Sequence, residues 1–134
     1  MPLVVPTNMG EILMLQYIVG LANASSPAMH LFSNDYTPDN AATIASFIPC
    51  TSSGYYGITL VSTNWTTSVS GSVTTALFSQ QTFTFNTNAV AYGYYVTSTS
   101  PGVNLLWAER FSGAPFQIPT GGGTISISAR LTLN

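Results

Sequence analysis

The chain has 134 residues, and only 4% of them are charged, for a net charge of −2. An ordinary globular domain carries about 25% charged residues. Two arginines and no lysine cannot supply the phosphate contacts that nucleic-acid binding needs, nor a basic patch for anionic lipid. Catalysis fits poorly too, because acid, base and electrophile would all have to come from Glu11, His30, Asp35, Asp39, Glu109, Arg110 and Arg130. Hydroxyls and amides do the solubilising instead. Such groups cost little to desolvate compared with ions, so this surface suits permanent packing against protein, or sugar binding.

In chain order, residues 1–7 (MPLVVPT) form an extended arm, its path set by Pro2 and Pro6. An apolar arm outside a core needs a cover, so Leu3, Val4 and Val5 are candidate contacts to a neighbouring subunit. Residues 8–134 form a single domain that starts with a helix. Asn8 and Glu11 suggest a capping box, Ile12, Leu15, Ile18 with Val19, and Ala22 follow at helical spacing, and Gly20 or Asn23 ends it. Ile12 and Leu15 join the arm as interface candidates. The apolar run 12–22 is too short to span a membrane, and Glu11 stands where a signal peptide would carry positive charge.

From residue 28 the pattern changes to period two. Strands are predicted at 28–33, 54–61, 65–69, 72–79, 81–86, 91–98, 103–111 and 124–133, with a helical turn capped by Thr37-Pro38 in the connection after the first. About eight short strands at this spacing signal a sandwich or barrel. In the last, Ile125, Ile127, Ala129, Leu131 and Leu133 share one face.

Glu109 and Arg110 are neighbours in a strand, so they point to opposite faces and cannot pair with each other. Alternation puts Glu109 with Leu105, Trp107 and Phe111, and Arg110 with Leu106 and Ala108. Both faces are apolar, which implies cover on both sides, by the core and by a second layer or a subunit. A covered carboxylate needs a cation, and a Glu109–Arg130 pair across strands is the expectation, as structure rather than catalysis. Tyr92 and Tyr94 on one face and Tyr95 on the other offer a surface for sugar stacking or for a protein, if they are exposed. The segment 33–40 (SNDYTPDN) has oxygen ligands but no calcium-loop spacing, so no metal or cofactor is assigned. Cys50, alone, excludes an internal disulfide.

The order of GEILMLQYIV, LFSNDYTP, GYYGITL, Trp65, QQTFTF, YGYYVT, LLWAERF and ISISARLTL resembles small virion proteins of tailed bacteriophages, of the capsid decoration (cement) type. That resemblance implies a jelly-roll-like antiparallel β-sandwich, often trimeric. It would be made in the host cytoplasm and seated on the capsid exterior, bridging major capsid proteins, with no catalytic residues. Small β-domains of tail fibres and adhesins that bind host glycans look similar at this level.

Overall fold

The computed structural model describes residues 5–21, 24–99 and 102–133, with only the backbone of Val5. The chain is an all-β sandwich with one N-terminal helix. Strand β1 (Val5–Pro6) is followed by α1 (Asn8–Val19), β2 (Ala28–Phe32), β3 (Ile58–Thr59), β4 (Trp65–Ser70), β5 (Val73–Phe78) and β6 (Gln81–Phe85). Then come β7 (Ala89–Ala91), β8 (Gly93–Thr97), β9 (Leu105–Arg110), β10 (Phe116–Ile118), β11 (Gly123–Ile127) and β12 (Arg130–Leu133).

One layer is a five-stranded sheet in the order β1-β9-β8-β2-β3; the other contains β12-β5-β4 and the two-stranded pairs β11-β6 and β10-β7. Between the layers lies the larger core, where Met29, Leu31, Tyr94, Val96 and Trp107 meet Phe78, Phe83, Phe85, Ile118 and Ala129. A second cluster of Phe32, Ala42, Phe47, Tyr95, Leu105 and Ala108 covers the opposite face of the five-stranded sheet. The second cover expected for β9 is therefore supplied by the chain's own 33–50 connection rather than by a subunit. Asn34 holds that connection in place, donating to the Ser46 carbonyl and accepting from the Ile48 N–H.

Several elements depart from the sequence pattern. The cap of α1 is Thr7, not Asn8: the Thr7 hydroxyl accepts from the Gly10 N–H at 3.0 Å, while its own N–H bonds the Leu106 carbonyl at 3.0 Å. Gly20, at φ 79°, closes the helix, with the Leu21 N–H reaching back to Gln16 and its own N–H to Tyr17. Thr37-Pro38 starts no helix; a short 3-10 turn forms at Ile44–Ser46 instead, after Thr43. The predicted strand over 54–61 shrinks to β3, because a turn with Gly54 at φ 83° precedes it. From that turn the Tyr55 hydroxyl accepts the Leu31 N–H at 2.8 Å and its ring stacks on Phe83 and Phe85.

The predicted strand 124–133 is two strands. β11 pairs β6 and β12 pairs β5, so together they form a long ribbon that bends where Phe78 N–H meets the Ala129 carbonyl. At the bend Ala129 is buried, whereas Leu133 at the far end is exposed rather than sharing a covered face. β9 carries a bulge: Thr97 pairs Leu105 but Val96 pairs Trp107, leaving Leu106 extra. Leu105 therefore faces the second cluster and Trp107 the larger core, so the two do not share a face as simple alternation requires.

Candidate functional site

Strand register places Tyr94 directly opposite Glu109, and the bent ribbon brings Arg130 to the same place. Arg130 Nη2 lies 3.3 Å from Glu109 Oε1, with both side chains mostly buried. The Tyr94 hydroxyl donates to Glu109 Oε2 at 3.1 Å and accepts the Arg130 backbone N–H at 3.2 Å. Burial, and then the Glu109 charge beside it, hold that phenol well above its ordinary range. It is therefore a fixed neutral donor that ties the two layers together. Glu109, as expected from β-strand geometry, makes no pair with its neighbour Arg110.

Arg110 is held on the opposite face. Its guanidinium sits 2.7 Å from Asp35 and donates to the Tyr36 carbonyl at 3.1 Å, and it lies 5.1 Å above the Tyr92 ring. The 33–40 segment thus spends one carboxylate on Arg110, while Asp39 accepts the Ala41 N–H at 3.0 Å. Among the described residues no three His, Cys, Asp or Glu side chains gather closely enough to hold a metal ion.

The tyrosine platform is not at the surface. Tyr94 is 2% exposed and Tyr95 5%, so neither can stack on a sugar. Tyr92 is half-buried under Arg110 and belongs with Tyr95 rather than Tyr94, because the chain kinks between β7 and β8. Tyr95 stacks between Phe47 and His30, with ring centroids 4.8 and 5.1 Å away.

Burial lowers the His30 pKa below its usual 6.5. The folded state therefore favours the neutral ring. Stability contributed this way is present above pH 6.5 and falls as pH drops through 6.5, because the unfolded chain takes up the proton first; it stops falling once the folded ring is also protonated. Melting temperatures measured from pH 7.5 to 5 should fall more steeply for the wild type than for His30→Phe. Carboxylate titrations common to both proteins cancel in that difference. Cys50 is buried as well, which lifts its thiol to about 11, and Sγ sits 3.5 Å from the Val90 carbonyl. It is a packed thiol and not a nucleophile.

Two open troughs meet beside the Glu109–Arg130 pair. One of about 410 Å³ is lined by Tyr94, Glu109, Phe111, Phe116, Ile127 and Arg130; the other, about 360 Å³, runs along Thr124–Ile127 against Phe111 and Phe116. Sequence reading missed both, because they form between β9, β10 and the ribbon, and no single segment carries their pattern.

No family model, curated protein or solved structure matches this chain.

Several of the exposed large apolar side chains lie on α1. Gly10 and Leu13 are buried and Met14 and Tyr17 half-buried, so that edge of the helix faces β9. The periodic series read in the sequence faces outward: Ile12 is 48% exposed, Leu15 64%, Ile18 80% and Val19 65%. Of the other interface candidates, Leu3 and Val4 lie outside the described residues. Val5 pairs by its backbone with Ala108 at the sheet edge, so the arm is partly a strand of the domain. Among the described residues no helix is long and apolar enough to cross a membrane.

Proposed function

We propose that this chain is a structural virion protein: a capsid decoration (cement) protein of a tailed bacteriophage that binds the head lattice and stabilises it. The observation that carries the reading is the outward stripe of α1. Ile12, Leu15, Ile18 and Val19 form a continuous apolar face on a helix whose opposite face already packs on the sheet. Fully burying such a side chain contributes at most about 1.5–3 kcal/mol, and the exposed part of these four is the share available to offset the cost of association. The motif order supports the same reading, as do a charge-poor, hydroxyl-rich composition and a mostly buried Glu109–Arg130 pair satisfied inside the fold. Burial of Tyr94 and Tyr95 leaves only the half-buried Tyr92 of the three tyrosines that favoured a glycan-binding tail domain, which weighs against that reading.

In this reading α1 meets the major capsid protein, copies of the chain associate with one another, and the mechanism is added buried area across capsid subunit junctions. The Leu15→Glu/Ile18→Glu variant is expected to lose cosedimentation with heads of the parent phage while keeping its β-rich circular dichroism. Val69→Glu, an equally exposed change on β4, is expected to bind like the wild type. Undiminished binding by the helix variant would refute the α1 contact. Labelling of tails rather than heads in electron microscopy would refute the decoration role.

A further inference from the structure

The outer edge of β11 is a strand edge without protection. Among the described residues β11 pairs only with β6, so alternate N–H and C=O groups of Gly123–Ile127 face away from the sheet. Natural domains block such edges with charge, proline, a bulge or a covering segment. GTISI contains neither charge nor proline, its pairing with β6 is unbroken, and beside it lies an open trough walled by Phe111 and Phe116.

We infer that β11 is a self-association edge, and that two copies of this chain pair their β11 strands antiparallel about a twofold axis at Ile125. In that register Thr124 faces Ser126 of the other copy, Gly123 faces Ile127, and Ile125 faces itself. The side-chain chemistry is self-complementary. Thr124 and Ser126 are exposed and place hydroxyls on one side, where Ser126 already bonds Thr82 at 2.8 Å within the chain, while half-buried Ile125 and Ile127 face the other side.

Charge selects a second copy over a charged partner. The edge is neutral over its whole length, and the one ion pair bordering the troughs, Glu109–Arg130, is neutral as a unit. Two such edges meet without like-charge repulsion, whereas an acidic or basic strand would find no counter-ion along β11. Area argues for the trough as well. Five paired residues make a seam only about 17 Å long and one strand wide, whereas a stable interface buries roughly 1,200 Å² from about 20 residues a side. Laying each β11 into the trough of the other copy adds Phe111 and Phe116, the latter 45% exposed, from both sides.

The twofold pairing concerns association of the chain with itself and needs no capsid, so it stands or falls separately from head binding. The test is light scattering after size exclusion on the full chain, together with amide hydrogen exchange at several concentrations. The wild type is expected to be dimeric, with protection at 123–127 rising with concentration. Thr124→Lys/Ser126→Lys should lose the dimer while keeping its β-rich circular dichroism and its binding to heads, and its melting temperature should no longer rise with protein concentration. Thr84→Lys, a like charge on the same face but one strand inward, should keep the dimer. A monomeric wild type at all concentrations would overturn the inference. So would a dimer that survives the double lysine change, or a trimer whose 123–127 amides exchange as fast as in the monomer. Protection at 123–127 that follows added glycan rather than protein concentration would overturn it in favour of a saccharide site.

Discussion

Replacing Arg130 with methionine is expected to destabilise the domain by about 3 kcal/mol, because it leaves the Glu109 carboxylate covered with no cation beside it. For a chain of this length that corresponds to a melting temperature lower by roughly 10 °C. The Glu109 side chain is 12% exposed and lies where the layers meet, so water can only partly replace the guanidinium. Tyr94 still donates to Oε2 in the variant, and that bond alone is too weak to offset the lost charge. Chemical denaturation monitored by tryptophan fluorescence measures the change, since Trp107 shares the core with Tyr94 and Trp65 packs against it.

The double variant Glu109→Gln/Arg130→Met separates the pair from its surroundings. With the Glu109 charge gone, that carboxylate is no longer stranded, and most of the loss should return, leaving a deficit of about 1 kcal/mol for the weaker hydrogen bonding to Tyr94. A double variant as unstable as the single one would mean that Arg130 acts through packing of its stem and not through charge. Recovery in the double variant would mean that the pair fixes the alignment of ribbon and sheet more than it raises net stability.

Much of this centre was legible in the sequence because of scarcity. With two arginines in the chain and Arg110 facing away, Arg130 was the only cation left for Glu109. The partner of Arg110 was not legible. Asp35 lies 75 residues earlier, in a segment that looks like any Asn- and Asp-rich turn, and only the fold of 33–50 over the sheet brings it to 2.7 Å. Period-two alternation located most strands but failed at Leu106 and at Tyr92. At Leu106 a bulge adds one residue and so reverses every side chain beyond it, and at Tyr92 the chain passes from β7 to β8 in another sheet, where alternation is interrupted. The bend at Ala129 was hidden for a related reason: apolar alternation continues through 125–133 although the partner changes from β6 to β5. In α1 the outward aliphatic residues stood out, but the inward face of Gly10, Leu13, Met14 and Tyr17 is apolar as well, so periodicity alone did not say which face packs on the sheet.

That glycine carries the second large expected effect. In an exposed helix, Gly→Ala stabilises by about 0.5–1 kcal/mol, through propensity and a less flexible unfolded chain. At Gly10 the sign should reverse. A Cβ there would stand 2.1 Å from the Leu106 carbonyl oxygen and 2.8 Å from its carbon, and both are backbone atoms that no rotamer change can move aside. Leu106 is also the bulged residue of β9, held by the Thr7 N–H at 3.0 Å, so helix and strand are fastened at the point of closest approach. Accommodating the methyl requires α1 to lift off the sheet, loosening the Thr7 cap and the packing of Leu13 and Tyr17. Overpacking of this kind costs about 3 kcal/mol. Gly20→Ala gives the comparison: its Cβ would meet nothing within 4 Å, and only the φ of 79° opposes it, at a cost of about 1 kcal/mol. Urea unfolding of the two variants should therefore show Gly10→Ala with the lower midpoint by a wide margin. Hydrogen exchange should show its early opening confined to α1 and the edge of β9. Equal midpoints would mean that α1 rides on the sheet loosely enough to absorb a methyl.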